Sequence, residues 1–263
     1  MRRFGWKPEQ VKPDNRLRWS RANLRLSNTP LPDTISLIVD IDLDILDQGG
    51  TSSCVAHAVP SAVQVCIAYA FCVLMQRRVR AAAFPLAARR WVYRLSRETH
   101  GDGDVDDGTF ISAALYIMQK LGWPSEVWVP WSEADINAPM TANARHHASD
   151  QAGVVEEYAI TSWGDSRKRQ IKEALASGYP IVFGAYVDQP FKDCNDWTKQ
   201  ELLGTTLGGH AMVIVGYEDA GVHVLNSWGS GWGVGGIGLL SWDAACKRIR
   251  DLRVITLSKE PTS

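Results

Sequence analysis

The sequence predicts an α+β fold with two unlike halves, the first helical and the second rich in β-strands. Residues 54–75 form an apolar segment without a formal charge, and shorter helical patterns follow it. Beyond residue 152, short runs of β-branched and aromatic residues alternate with glycine-containing turns. Helices first and strands afterwards are typical of proteins in which the two kinds of element segregate. We therefore expect a helical half packed on a β-rich half.

Three segments divide the chain in this interpretation. Residues 1–46 form an N-terminal arm, residues 47–150 the helical half and residues 151–263 the β-rich half. The arm is basic up to Pro30, with eight Arg or Lys against Glu9 and Asp14. It either packs over the domain as a structural arm or is a pro-segment that covers a functional site. With 263 residues, 45% of them hydrophobic, the chain is large enough for an extensive core.

The apolar segment predicts a long helix that begins at Cys54. Ser52 or Ser53 can cap its first turn, and Pro60 is expected to kink it. Its length also fits a membrane span, but the proline and the polar side chains inside it favour a buried core helix. Further helices are predicted at about 85–97, 110–121 and 166–177.

Six short β-rich runs make up the second half, separated by turn residues. They cover residues 154–160, 181–187, 211–217, 222–226, 237–242 and 252–257. The turn near residues 219–221 joins the third and fourth runs into a hairpin. The polar stretch at about 132–152 is expected to be the boundary between the halves.

Charge and cysteine usage exclude several classes of protein. A formal net charge of -1 gives no electrostatic reason to expect nucleic acid as a partner. Five cysteines without close pairing are no disulfide framework, and no C-x-x-C zinc pattern exists. The acidic stretch 102–108 fails the EF-hand pattern, because Asp107 occupies the glycine position and Ala113 the glutamate position. We expect no metal, no cofactor and no membrane partner.

One cysteine and one histidine stand in positions suited to nucleophilic chemistry. Cys54 opens a predicted helix, where backbone N–H groups and the dipole favour a thiolate. His210 follows two glycines and opens an apolar strand, and Asn226 ends the next strand. The hairpin would make His210 and Asn226 neighbours. His57, one turn from Cys54, could compete as the base but is interpreted as a packed or cleft-edge histidine.

Together these residues resemble the papain family of cysteine peptidases. The resemblance rests on Gln48 six residues before Cys54, on His210, and on Asn226 followed by Ser-Trp-Gly. Residues 105–131, which include the run Leu-Gly-Trp-Pro-Ser-Glu, and the run Phe-Gly-Trp-Lys-Pro at residues 4–8 resemble the bacterial branch of that family. The resemblance implies a two-lobe papain-like fold with a helical left lobe, a β-barrel-like right lobe and the active site in the cleft between them.

The resemblance also implies catalytic roles for four residues. Cys54 attacks the scissile carbonyl, and His210 takes the thiol proton and returns it to the leaving amine. Asn226 orients the imidazole, and the side-chain amide of Gln48 joins the backbone N–H of Cys54 in binding the oxyanion.

Three further residues are implied in substrate binding or shielding. Trp228 resembles the ring that shields the His–Asn bond, Gly108 the glycine whose backbone pairs with an extended substrate, and Ala211 a residue of the adjoining specificity pocket. Residues 51–55, Thr-Ser-Ser-Cys-Val, depart from the family's Cys-Gly-Ser/Ala-Cys-Trp/Tyr signature. The first cysteine of that signature forms a disulfide in the family, and its absence here implies a form without this bridge.

The resemblance implies a cysteine endopeptidase that hydrolyses peptide bonds of a peptide or protein substrate through an acyl-thioester. The first alternative uses the same site for acyl transfer, deamidation or peptide ligation. The second is a non-catalytic peptide-binding module. Residues 1–46 could inhibit the site. The absence of an apolar signal segment and of paired cysteines favours a bacterial cytoplasm, or export without a classical signal peptide.

Overall fold

The computed structural model describes residues 2–9, residue 19 and residues 30–258. Seven α-helices lie in these ranges: α1 (Cys54–Met75), α2 (Arg89–Glu98), α3 (Ile111–Lys120), α4 (Ala142–Ser149), α5 (Gly164–Ala176), α6 (Gln189–Lys192) and α7 (Trp242–Lys247). The first three form most of the helical half, and α1 packs directly against the β-sheet.

Nine β-strands lie in the same ranges: β1 (Ile35–Ser36), β2 (Ile41–Asp42), β3 (Val79–Arg80), β4 (Val155–Ala159), β5 (Ile181–Val187), β6 (Gly208–Glu218), β7 (Gly221–Leu225), β8 (Ile237–Ser241) and β9 (Arg250–Leu257). Seven of them form one sheet with the order β4-β9-β5-β6-β7-β8 and with β1 paired to β6. All of its ladders are antiparallel. Strands β2 and β3 form a separate parallel pair.

Most predicted elements are present with shifted ends. The run at 181–187 matches β5 at both ends, because a continuous apolar stretch is buried on both faces of the sheet. The helix predicted at 85–97 was wrong at its start, since Ala87 forms a β-bridge with Ser125 and α2 begins at Arg89. The polar stretch expected as a boundary contains α4, whose first turn is capped by the Thr141 side chain accepting from the N–H of Ala144.

Helix α1 begins at Cys54 as predicted, but the expected side-chain cap was wrong. Ser53 is the N-cap residue, yet its hydroxyl bonds to Thr51 and His57 instead of a helix N–H. The helix continues through Pro60. It is long and apolar enough to cross a membrane, and half of its most apolar window is buried inside the protein. Core helices of soluble proteins can be equally long and apolar.

The hairpin of β6 and β7 brings the strand that carries His210 beside the residue that follows β7. Leu225 pairs with Val213, three residues from His210, and Asn226 comes next. On its other side β6 pairs with β5, where His210 lies opposite Ala185. The interior of this sheet is fully buried, so the register of the histidine is set on both sides.

One continuous hydrophobic core joins the helical and β-rich halves, and it includes Cys54, Trp91, Ile111, Ile181 and Trp228. The predicted arm is partly integrated into the sheet, because Ile35 and Ser36 form β1. Much of the rest of residues 1–46 lies outside the described residues. The segment boundaries at residues 46 and 150 stay predictions.

Candidate active site

Asn226, His210 and Trp228 form a buried stack on the β-rich half. The side-chain oxygen of Asn226 accepts from the backbone N–H of Ser227 at 2.8 Å, which identifies that atom as the amide oxygen. It lies 2.7 Å from Nε2 of His210, so Nε2 carries the hydrogen that it accepts. The Trp228 ring stacks on the imidazole at 4.3 Å and is 1% exposed. This arrangement shields the His–Asn bond from water.

The other imidazole nitrogen, Nδ1 of His210, is buried and makes no hydrogen bond to any described residue. Because Nε2 bears the hydrogen of the neutral ring, Nδ1 holds a lone pair that can accept a proton. Burial lowers the pKa of His210 to about 4, although the bond to Asn226 opposes this, and the charge of Arg2 lowers the pKa further. The ring is therefore neutral in this state.

Cys54 lies at the first residue of α1 and faces β6. The backbone N–H groups of Ala211, the residue next to His210, and of Gly5 favour the charged form of its sulfur. Burial raises the pKa of the Cys54 thiol to about 11 in spite of these groups. All five cysteines are free thiols. The structure thus holds Cys54 as a neutral thiol at the start of α1, which packs against the strand that carries His210.

Gln48 is fully buried in the loop before α1. Its Nε2 donates to the Thr51 carbonyl at 2.7 Å and to the Arg3 carbonyl at 3.1 Å. The hydroxyl of Ser227 donates to its Oε1 at 2.9 Å and so sets the orientation of the amide. Ser227 was not predicted as a site residue, although it directly follows Asn226.

Residues 2–9 lie in the cleft between the two halves. On one side the Gly5 carbonyl accepts from the N–H of Thr109 at 2.8 Å, and the N–H of Lys7 donates to the Thr109 carbonyl at 3.0 Å. On the other side the N–H of Trp6 donates to the Gly209 carbonyl at 3.0 Å. This is an extended chain paired with both walls, and it covers Cys54.

Side chains of the same segment hold it at both ends. Phe4 contacts the rings of His210 and Trp228 edge-on, and the Arg2 guanidinium donates to the Trp228 carbonyl at 2.7 Å. At the other end a buried ion pair joins Glu9 to Arg253 at 2.7 Å.

Trp6 is buried in a pocket of the β-rich half. An added Cβ at Gly184 would approach its ring to 2.0 Å, so the absence of a side chain there makes room for the indole. Its Nε1 donates to the Asp251 carboxylate at 3.2 Å. Ala211, predicted to line a specificity pocket, is buried opposite Gly184 on the neighbouring strand.

The backbone that pairs with the extended segment belongs to Thr109, which directly follows Gly108. The pairing of Gly108 with a peptide substrate stays a prediction. Gly108 has φ of 75°, and an added Cβ would approach the Gly5 carbonyl oxygen to 1.9 Å. It therefore allows the close approach, while its own N–H donates to the Tyr93 hydroxyl. The register of this loop could not be read from the sequence, because it depends on how the acidic stretch folds around Tyr93.

Several known proteins resemble this chain. The Peptidase_C39 like family model matches residues 131–234, which contain His210 and Asn226. An uncharacterized peptidase C1-like protein of Acanthamoeba polyphaga mimivirus is 31% identical over 212 residues, 74% of this chain and 63% of that protein. The chain spans less than two thirds of the length of the curated relatives it matches.

Solved structures resemble it over nearly its whole length. Xylellain, a cysteine protease from Xylella fastidiosa, matches with a TM-score of 0.78 at 20% identity, over 97% of this chain and 96% of that one. The chain has the papain-like fold. Procathepsin B S9 from Trypanosoma congolense also matches, with a TM-score of 0.68 at 16% identity, over 97% of this chain and 87% of that one. The resemblance to the papain family and the α+β prediction are both confirmed.

Proposed function

We propose that this papain-like chain is a cysteine peptidase that hydrolyses peptide bonds, with Cys54, His210 and Asn226 as its catalytic residues. The observation that carries the proposal is the buried His210–Asn226 bond, which leaves Nδ1 as the free proton acceptor on the strand that contacts the Cys54 sulfur. A peptide or protein is the substrate.

The reaction proceeds through two proton transfers at His210. Nδ1 takes the thiol proton as the Cys54 sulfur attacks the carbonyl carbon, and then delivers it to the leaving amine as the C–N bond breaks. The acyl group remains as a thioester. Water then gives a proton to Nδ1, its oxygen adds to the thioester carbon, and breakage of the C–S bond releases the acid and restores the thiol.

Gln48 supplies one donor to the oxygen that becomes negative during attack. In the structure the side-chain amide of Gln48 donates to the Arg3 carbonyl. The Arg3 oxygen therefore stands in for the oxygen of a bound substrate. The N–H of Cys54 is the second donor in this proposal. Donors fixed before the reaction cost no reorganisation when charge develops.

We further propose that residues 2–9 inhibit the site. The leaving amine receives its proton from His210, so it must depart on the side of His210 and Trp228. Arg2 and Phe4 already occupy that side. The segment then continues towards Thr109, where the N-terminal part of a substrate would lie. Its direction is therefore opposite to that of a substrate, which explains how it can fill the cleft without being cut.

The products formed from a defined peptide mixture test the proposed reaction. We expect new carboxyl and amino ends, in amounts that match, when the protein is incubated with the mixture and the products are analysed by mass spectrometry. New amide bonds or glutamate in place of glutamine would support acyl transfer, ligation or deamidation at the same site. No product, together with no labelling of Cys54 by a thiol-directed epoxide after the cleft is opened, would support a binding module.

Replacing Gly5 by alanine should open the cleft. Its added Cβ would lie 1.7 Å from the Ser52 carbonyl oxygen, a contact that the segment can relieve only by moving away. Overpacking of this kind costs about 1–3 kcal/mol, which corresponds to a rise of about 5- to 150-fold in the rate of Cys54 alkylation by iodoacetamide. Peptide hydrolysis should rise by a similar factor.

The pH dependence of alkylation gives a second readout for Gly5→Ala. Release of the segment hydrates the sulfur and removes Arg2 from His210, so the pKa of Cys54 should fall from about 11 and thiolate should form at lower pH. Gly231→Ala is the matched control, because its added Cβ meets no atom within 4 Å. An unchanged rate and pH profile in Gly5→Ala would contradict inhibition by this segment.

For the compartment we propose a bacterial cytoplasm, or export by a route without a classical signal peptide. The five free thiols support a reducing compartment. Fractionation of the native host, followed by immunodetection of the protein, tests this assignment.

A further inference from the structure

A chain of buried and partly buried polar contacts links Glu126 to His57 through Arg89. The Glu126 carboxylate accepts from Arg89 at both of its oxygens, with Nη2 and Oε2 2.8 Å apart. The Nη1 atom of Arg89 lies 3.1 Å from Nε2 of His57. His57 is fully buried, and its ring packs edge-on against Trp131 at 4.5 Å. These contacts hold the imidazole in one position.

The same contacts determine which nitrogen of His57 carries the hydrogen. A guanidinium can only donate, so Nε2 must accept and Nδ1 bears the hydrogen. Nδ1 lies 3.0 Å from the Ser53 carbonyl oxygen, which can only accept. Burial, and then the charge of Arg89, lowers the pKa of His57 to about 3, so the ring stays neutral at physiological pH. Both nitrogens are engaged, and His57 therefore does not compete with His210 as the base.

The Ser53 carbonyl belongs to the same peptide group as the N–H of Cys54. A planar peptide has no freedom between these two atoms, so a bond that fixes the oxygen also fixes the direction of the N–H. The oxygen accepts twice from His57, from Nδ1 and from the backbone N–H at 3.1 Å. Hydrogen bonding at the oxygen also polarises the peptide and strengthens the N–H as a donor.

The network continues to Gln48, the other oxyanion donor. The Ser53 hydroxyl lies 2.6 Å from that of Thr51, which donates to the Gln48 carbonyl at 2.8 Å. The Thr51 carbonyl in turn accepts from the side-chain amide of Gln48. Both groups proposed to bind the oxyanion are therefore connected to the ring of His57.

We infer that His57 is a positioning residue for the oxyanion site: held by Arg89 and Glu126, its ring sets the direction of the Cys54 N–H and, through Ser53 and Thr51, supports the Gln48 amide. The inference rests on the proposed function, because an oxyanion forms only when a carbonyl is attacked. His57 touches no reacting atom in this role.

Two reactions of Cys54 separate this role from a general effect on the fold. Peptide hydrolysis passes through an oxyanion and depends on both donors. Alkylation by iodoacetamide, in which the sulfur displaces iodide at carbon, forms no oxyanion and depends only on the thiolate. Both reactions require residues 2–9 to leave the cleft, so the ratio of their rates, measured on the full chain, is independent of that opening.

We expect His57→Leu to lower kcat for peptide hydrolysis by about 10- to 100-fold, less than the loss of a whole oxyanion donor. KM and the alkylation rate should change by less than about twofold. His57→Asn can still donate to the Ser53 carbonyl from the position of Nδ1, so it should recover most of kcat. His57→Gln cannot place its donor there and should resemble His57→Leu.

Glu126→Gln tests the same network if the His57 variants fail to fold. It keeps the size of the side chain and should lower kcat in the same direction by a smaller factor, again with alkylation unchanged. The inference is overturned if hydrolysis and alkylation fall together, or if folded variants keep the wild-type kcat. A wild-type chain that is alkylated at Cys54 but hydrolyses no peptide refutes the proposed function instead, which keeps the two failures distinct.

Discussion

Cys54→Ala should abolish peptide hydrolysis while leaving the fold intact. No other described group stands at the start of α1 where a thiolate could form beside His210, so the variant retains only substrate binding and the oxyanion donors. Loss of a nucleophile in a triad of this kind costs on the order of 10⁵- to 10⁶-fold in kcat. The measurement is the rate of product formation by the full chain, in parallel with circular dichroism and thermal unfolding.

Cys66→Ala is the matched control, because Cys66 is another buried cysteine of α1. Its thiol donates to the Ile255 carbonyl at 3.8 Å and lies far along the helix from Cys54. It should keep nearly all activity and lose some thermal stability. Full hydrolysis by Cys54→Ala would refute the assignment of the nucleophile.

His210→Gln is expected to have the second-largest effect, a loss on the order of 10⁴-fold or more in kcat. The variant keeps a polar side chain beside Asn226 but has no group that accepts and returns a proton near neutral pH. Alkylation of Cys54 should also slow, because the sulfur loses the imidazole as its proton acceptor. This distinguishes His210 from His57, whose variants are expected to leave alkylation unchanged.

A double variant sharpens this test. Groups that act as one unit lose their contributions together, so Cys54→Ala with His210→Gln should be no slower than Cys54→Ala alone. His223→Gln is the control, since His223 lies on the neighbouring strand β7 and pairs with Glu218 outside the site. If His210→Gln retained more than about a tenth of the wild-type kcat, another residue would have to be the base.

The elements that the sequence predicted best are those that lie in runs without a charged residue. The run at 181–187 is apolar throughout and became β5 without change, and the uncharged segment from Cys54 became α1. Helix α4 was missed because its pattern is weakly amphipathic, although Thr141 offered a capping signal. Local patterns of this kind predict helices and strands because the residues that define each element are neighbours in the chain.

The partners of individual hydrogen-bonding groups were harder to predict. Ser52 or Ser53 was expected to cap α1, but the hydroxyl of the N-cap residue Ser53 bonds to Thr51 and His57 instead. The sequence did not indicate that the backbone of Thr109, which follows Gly108, pairs with residues 2–9. In both cases only the packed geometry decides which partner a group has.

By itself, the amino-acid sequence determined the α+β class, through the order of its helical and β-rich patterns. The papain-like fold and the set of residues proposed for catalysis followed from the resemblance of its motifs to those of the papain family. Only the tertiary structure decided that residues 2–9 fill the cleft, that Nδ1 of His210 is the free nitrogen, and that His57 is tied to Glu126. Each of these depends on atoms brought together from separate segments. Their positions follow from the register of the sheet and the packing of α1 against it, which no local pattern encodes.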